Sequence, residues 1–506
     1  MYKKIRLLLT ALIFIIGLFY SHMNSCAEGN TIISLPTEDA QKIEDFIKLE
    51  MEDGEIPGLS VAIVMDEQIV FQKGYGYANI QHKTPVTSKT LFEIGSNSKA
   101  FTALGIAKLE VEGLLKRTDN ITTYLPWLKM YHQGHEANVK IEDLLNHTSG
   151  IPFHTIDKIP VSSNFNALEQ TVRTLENTAL DSKPGQKFQY ATMNYDVLGL
   201  IIEKVSGQPF EEYIIDKILY PMGLKNTTFY ASNQWNGEIA QGYKLGFLKL
   251  LEYNAPNYRG NTPAGYYISN IEDMAEWTKL QIGVQGNSEV MGSLIENSHH
   301  NPQPIATNSK WAYANGWYIS RNNSGEISHD GSNPNFSSYI VFNKNGIGVI
   351  VLGNINSMYI SSIGQGIFDL LQDKSPAATS DLNKVADTVA SILIMIIVII
   401  IVAFGVALVR IGRDIQIKRR QRQKLGIRFI IKIIIISVVV LAISVFIYFI
   451  PYFFYNGLSW NFVFIWLPLS MEIALYLVYL VIFIFFIMLI LKTLYKKNGS
   501  EPYGIN

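Results

Sequence analysis

The sequence predicts an α+β domain built on one antiparallel sheet, followed by a bundle of three apolar helices. Strand-type alternation is confined to two regions, near residues 59–76 and 316–354, helical periodicity fills much of the stretch between them, and three long apolar runs occupy the last quarter. Strands at both ends of a domain with helices between them call for a sheet assembled from its two termini, with a helical region inserted. Short connections between neighbouring strands make that sheet antiparallel.

Taken in order, "MYKKIRLLLTALIFIIGLFY" has a basic start and an apolar run from Leu7 to Tyr20, the pattern of a secretory signal. Ser25-Cys26-Ala27 fits a small-x-small cleavage site, so residues 1–27 are expected to be a cleaved signal. An uncleaved anchor and a lipoprotein modified at Cys26 remain the alternatives, and all three export the region C-terminal to residue 27. "TEDAQKIEDFIKLEMEDG" has the polar start and spaced apolar positions of an amphipathic helix. "LSVAIVMDEQIVFQKGYG" reads as two strands around a tight Asp66-Glu67 turn. Further strands are "GWYISR", "GEISH" and "SSYIVFNKNGIGVIVLGN", the last a hairpin turning at Asn345-Gly346. The globular domain is expected over 30–371, with 372–387 as a tether.

The apolar runs, about 389–409, 433–454 and 466–491, are each long enough to cross about 30 Å of hydrocarbon as helices. Between the first two lies "RIGRDIQIKRRQRQKLGIR", which stays in the cytoplasm by the positive-inside rule, as does a 498–506 tail preceded by Lys492, Lys496 and Lys497. That orientation places residues 30–371 outside, in agreement with the export signal. The expected location is thus the cell membrane, multi-pass, with the globular domain extracytoplasmic and the lipid bilayer as a partner. Glu472 in the third run is a functional candidate because intramembrane carboxylates are costly, although it sits near the outer end.

With 42 basic and 43 acidic residues the chain lacks the basic excess of a nucleic-acid binder, and the basic loop between two spans is better explained by lipid-facing retention. Cleavage after Ala27 would leave no cysteine, since Cys26 is the chain's single one. His132, His135 and Glu136 in "YHQGHE" lack the helix spacing of a zinc protease, and "GYGYANI" lacks that of a phosphate loop, so no metal and no cofactor are expected. His147 in "NHTSG" reads as a structural turn residue.

The candidate chemistry begins in "FEIGSNSKAFTALGIAKLE". Ser96 follows a glycine at the start of a helical run, where unpaired N–H groups and the helix dipole favour negative charge. Lys99, three residues on, shares its face, and a partly desolvated lysine loses pKa and can act as a base. This pair alone reads equally well as a helix cap and a surface lysine. Tyr190, before the apolar helix of "YATMNYDVLGLIIEKVSG", is a phenol expected to lose its proton more easily beside a lysine. His329-Asp330-Gly331 marks a strand end where the glycine admits a ligand close to the backbone.

"GSNSK", "IEDLLNHTSGIP", "FQYATMNYDVLG", "YPMGLKNTTF", "PAGYYISNIEDMAEW" and "SHDGSNPNFSSYIVF" occur here in this order. In order and approximate spacing they resemble the serine β-lactamase-related family of class C β-lactamases, low-molecular-weight penicillin-binding proteins, D-aminopeptidases and esterases. The resemblance covers residues 43–371 and implies the β-lactamase/D,D-peptidase fold, an antiparallel sheet flanked by helices plus a helical subdomain. It implies Ser96 as the acylated nucleophile, Lys99 as its partner and Tyr190 as the activating and proton-donating phenol. His329-Asp330-Gly331 would be the His-x-Gly form of the Lys-Thr-Gly element, and the backbone N–H groups of Ser96 and Ser332 the oxyanion hole.

Two departures bear on substrate. Thr192 stands where relatives carry an asparagine that binds the acyl-amide group, and a hydroxyl cannot reproduce an amide's paired donor and acceptor. Asn194 matches a different position. His329 replaces a carboxylate-holding lysine, and an imidazole of ordinary pKa predicts that carboxylate recognition fades between about pH 6 and 8. The implied function is that of a membrane-tethered serine hydrolase acting on a peptide, ester or β-lactam carbonyl of bacterial cell-wall material. A non-catalytic sensor of wall fragments and a true β-lactamase are the alternatives.

Overall fold

The computed structural model describes residues 31–231, 237–283, 289–299, 307–308, 310–322, 324–424 and 426–498. The expected export signal with Cys26, and all but the first residue of the expected tail, lie outside the described residues. Helix α1 (Thr37–Asp53) leads into strands β1 (Gly58–Met65) and β2 (Gln68–Asn79). The helical lobe contains α2 (Ser98–Val111) and α3 (Met193–Ser206), and α4 (Ile271–Ile282) brings the chain back to the sheet. Strands β3 (Trp311–Ala314), β4 (Trp317–Ser320), β5 (Ile327–Asn333), β6 (Phe336–Phe342) and β7 (Ile347–Gly353) come next, and α5 (Met358–Leu370) closes the domain.

The seven main strands of the sheet run β2-β1-β7-β6-β5-β4-β3, with the short strands Ile32–Ile33 and Thr84–Pro85 added to β2 and every pair antiparallel, so β1 meets β7 and the two ends of the domain join as expected. The β1–β2 turn holds Asp66 and Glu67 at φ +48° and +62°, both left-handed, which matches the right-handed twist of a two-residue hairpin. Strand β1 is almost wholly buried because both faces are covered. Ala62, Val64, Ile350 and Leu352 point into a core shared with Met274 and Trp277 of α4 and with the helical lobe. Leu59, Val61, Ile63, Val349 and Val351 point the other way, onto Ile43 and Ile47 of α1 and Ile360, Ile363 and Ile367 of α5. Each such Val, Leu or Ile side chain contributes about 1.5–3 kcal/mol on burial.

The middle of the chain departs from the helix-and-loop reading. It also holds a hairpin, Tyr243–Gly246 with Lys249–Glu252, and a small sheet of Phe92–Glu93, Tyr267–Ser269 and Thr228–Phe229. The small sheet's strands, of two or three residues, are too short to leave an alternation signal.

Among the described residues, three helices have the length and apolarity to cross a membrane: α6 (Leu382–Gln416), α7 (Ile427–Tyr448) and, after a short α8 (Trp460–Trp466), α9 (Leu469–Leu494). Their outward side chains are exposed, Ile399 by 69% and Phe483 by 58%, a surface that calls for lipid and supports membrane association. At 35 residues, α6 is about 52 Å long and overshoots the hydrocarbon; it starts within the stretch read as a tether. Glu472 lies in the first turn of α9, where Tyr476 Oη donates to it at 3.2 Å.

The overshoot ties the domain down. Asp387 of α6 is buried and accepts from the backbone N–H groups of Phe247 and Leu248 at 2.9 and 2.8 Å and from Ser470 Oγ at 2.5 Å. Phe247 and Leu248 are both left-handed, at φ +57° and +59°, a conformation that bulky residues adopt at a cost of about 1–2 kcal/mol each. Asp387→Ala is therefore expected to release this turn. It would raise hydrogen exchange at residues 243–252 and lower stability by about 1–3 kcal/mol, read by exchange mass spectrometry and thermal melting.

Candidate active site

Ser96 occupies a single 3₁₀ turn, Gly95–Asn97, that runs directly into α2. Its neighbours hold the turn. Ser98 Oγ donates to the Gly95 carbonyl at 2.6 Å, Asn97 Nδ2 donates to Ser338 Oγ at 2.7 Å, and Ser338 Oγ donates to the Ile94 carbonyl at 2.6 Å. Gly95 sits at φ +52°, and a Cβ there would lie 2.5 Å from the Ser332 nitrogen. The turn thus presses against β5. Strand β4 pairs with β5 only at Ile327 and Ser328, which leaves residues 329–333 bonded on one side to β6 and open on the other toward Ser96.

Gly331 lies at the same contact, where a Cβ would meet the Ile94 carbonyl oxygen at 2.1 Å and Ser338 Oγ at 2.3 Å. Gly331→Ala must push β5 away from the Ser96 turn. The expected result is a stability loss of about 1–3 kcal/mol with a fall of at least about tenfold in Ser96 reactivity, measured by melting and by the rate of fluorophosphonate labelling.

The structure brings Ser96, Lys99 and Tyr190 together. Lys99 Nζ is 2.9 Å from Ser96 Oγ, and the amine also reaches the Ala264 carbonyl at 2.6 Å and Thr192 Oγ1 at 3.4 Å. The lysine is completely buried. Desolvation pulls its pKa down to about 7, against the opposing pull of Asp196 and Asp330. Tyr190 Oη donates to Ser96 Oγ at 3.0 Å. Burial drives the Tyr190 pKa well above its ordinary value, so the expectation of an easily lost proton is reversed: the phenol remains a donor.

His329 is also buried, on β5, with Nε2 3.1 Å from Tyr313 Oη and rings of Tyr313 and Tyr318 around it. Desolvation lowers its pKa to about 4, with Asp330 opposing and Lys99 assisting. The expected loss of carboxylate recognition between pH 6 and 8 is thereby overturned, because the imidazole is already neutral across that window. Ser332 and Thr192 line the same cleft. Asn194 instead binds Ser149 Oγ at 2.6 Å and His147 Nδ1 at 2.8 Å. His147 also accepts from the Ala191 N–H at 3.3 Å, and its ring lies 4.2 Å from that of Tyr190, centre to centre, so it positions the Tyr190 segment. His132 and His135 sit on a small surface hairpin.

Two features escaped the sequence reading. Asp196, on α3, is fully buried beside the site, and the Asn261 amide, with its nitrogen turned to the carboxylate, donates to both oxygens at 3.0 and 3.2 Å. Burial raises its pKa well above the ordinary range while the charge of Lys99 opposes this. An acid inside the apolar run "MNYDVLGLII" was the available signal. The second is the cleft itself, of about 470 Å³, whose outer wall comes from the segment joining α7 to α9.

An antiparallel sheet fed by both ends of the domain, a helical lobe inserted between them, and a half-buried serine and tyrosine meeting on a fully buried lysine define the class. The chain belongs to the β-lactamase family, whose family model, described as Beta-lactamase, matches residues 43–362. The chain is 31% identical over 449 residues to protein flp of Staphylococcus aureus (strain MW2), spanning 87% of this chain and 88% of that protein. It is 28% identical over 336 residues to PbpX of Bacillus subtilis (strain 168), named as a candidate penicillin-binding protein, spanning 66% and 79% of the two chains. Among solved structures, the octameric penicillin-binding protein homologue from Pyrococcus abyssi superposes with a TM-score of 0.60 at 30% identity, covering 70% of this chain and 81% of that one. Fold and family together support a serine-hydrolase-type or penicillin-binding function.

Proposed function

We propose that this chain is a membrane-tethered, extracytoplasmic serine hydrolase that forms an acyl-enzyme at Ser96 from an amide, ester or lactam carbonyl. A penicillin-binding-protein-like peptidase or esterase acting on cell-wall-related substrates fits the site best. The observation that carries the proposal is the convergence of Lys99 Nζ and Tyr190 Oη on Ser96 Oγ at 2.9 and 3.0 Å. In its neutral form Lys99 keeps two N–H bonds for the Ala264 carbonyl and Thr192, and turns its lone pair to the Ser96 hydroxyl. Lys99 takes the Ser96 proton as Oγ attacks the carbonyl carbon. The backbone N–H groups of Ser96 and Ser332 receive the oxyanion, and Tyr190 gives its proton to the departing amine or alcohol. Lys99, now cationic, returns a proton to Tyr190 through the site, and water releases the acyl group. Neutral His329, bonded to Tyr313, supplies a dipole to the substrate rather than a charge.

The test is the intact mass of the full chain in lipid nanodiscs after brief exposure to a penicillin, with and without prior blocking of Ser96 by a fluorophosphonate. A drug-sized gain that blocking abolishes supports the peptidase-like reading. A gain with the fluorophosphonate alone directs the assignment to an esterase or aminopeptidase, and no gain with either refutes the acyl-enzyme.

A further inference from the structure

The segment between α7 and α9 enters the catalytic cleft. Leu458, Phe462, Val463, Trp466 and Leu467 line it together with Phe153 and Ile156 of the globular domain, so the cleft joins the polar groups around Ser96 to an apolar lining. This wall is built in. At the start of α8, Ser459 donates to Asp157 through its backbone N–H at 2.8 Å and its hydroxyl at 3.0 Å. At the other end Lys244, a buried lysine of the domain, donates to the Phe464 and Ile465 carbonyls at 2.6 and 3.0 Å, where the last turn of α8 presents unpaired acceptors. Two charged groups thus fix α8 over the cleft. Because Leu467 is followed almost at once by α9 and Tyr455 comes soon after α7, this wall is continuous with two membrane-crossing helices.

A cleft that accepts only a small polar fragment has no use for a five-residue apolar wall, which would meet water whenever the site is empty. We propose that the substrate is an amphiphile of the membrane leaflet that the domain faces, an ester or amide whose reacting carbonyl reaches Ser96 while an attached alkyl chain lies along Phe462, Val463, Trp466 and Leu467. This rests on the Ser96 reading above and names its substrate class. The membrane helices then do more than tether: they align the cleft mouth with the lipid surface, and α8 selects substrates that carry a chain. Tyr190, His329 and Ser332 remain at the polar end, where the headgroup chemistry is read.

The test compares Ser96 phosphonylation by ethyl and dodecyl fluorophosphonates, followed by intact mass, with the full chain in nanodiscs. The Ser96 oxygen displaces fluoride in both, so only the chain differs. The dodecyl probe is expected to react about tenfold faster or more. In the variant F462S/L467S that ratio is expected to fall at least about fivefold, whereas Phe446→Ser, on an exposed face of α7 outside the cleft lining, keeps the wild-type ratio. Hydrogen exchange on the wild-type adducts gives a reading that needs no variant: the dodecyl adduct protects residues 458–467 and the ethyl adduct does not. Equal rates in the wild type, a ratio unchanged in F462S/L467S, or equal protection by both adducts overturns the proposal while leaving the acyl-enzyme standing. Labelling by neither probe refutes the Ser96 reading and this inference with it.

Discussion

Ser96→Ala is expected to reduce hydrolysis of any ester or amide substrate by on the order of 10³- to 10⁶-fold, leaving fold and membrane insertion unchanged. The first half rests on chemistry, since neither Lys99 nor Tyr190 offers an alternative nucleophile at the same point. The second rests on the hydrogen bonds of the turn, which run through Asn97, Ser98 and Ser338 and not through the Ser96 hydroxyl. A melting curve matching the wild type alongside a lost rate would assign the effect to catalysis. Residual hydrolysis within about tenfold of the wild type would place the nucleophile elsewhere.

The second large effect concerns Lys99. With its pKa lowered to about 7 by burial, the fraction of neutral amine grows as pH rises through 7, so kcat/KM is expected to climb with unit slope below 7 and level off by about pH 8.5. Tyr190 and His329 add no inflection in that range. The first titrates well above it, and the second is neutral from about pH 5 upward, given its pKa of about 4. Lys99→Arg retains a cation that never becomes neutral, so it should lose about 10²- to 10⁴-fold and flatten the profile, as should Lys99→Met. A wild-type profile flat from pH 6 to 8.5 would refute Lys99 as the base. The same shift affects stability. Between about pH 7 and the ordinary lysine pKa the unfolded chain binds the extra proton, so the Lys99 contribution to stability rises with pH across that interval.

These two arguments draw on different levels of information. That Ser96 and Lys99 share a helix face was readable from a three-residue spacing, and the β1–β2 and β6–β7 hairpins from alternation broken by turn residues. The three apolar helices were readable from length alone. Such features are local: the residues that interact lie within a few positions of one another. Helix α2 was harder to read, because Ser98 through Ile106 are buried on every side and a helix buried all round shows no amphipathic period.

The reversals at Tyr190 and His329 have a single cause. A side chain's identity gives its reference pKa, but the shift depends on how much water the surrounding chain removes. Tyr190 is covered by Tyr313, from a distant part of the chain, and His329 by Tyr313 and Tyr318 of the neighbouring strands, which only strand pairing brings over it. Asp196 remained unnoticed because its significance lies in facing Lys99 and Asn261. The stretch "YNGLSWNF" carries no charge and no motif that marks a site, and only folding carries it back over the Ser96 cleft. By itself, then, the sequence determined the family, the antiparallel architecture, the apolar helices and the pairing of Ser96 with Lys99, all encoded in local spacing and ordered motifs. Protonation states, the Asp196 partner and the apolar wall were settled by tertiary contact, because desolvation and cavity shape belong to the surroundings that distant segments create.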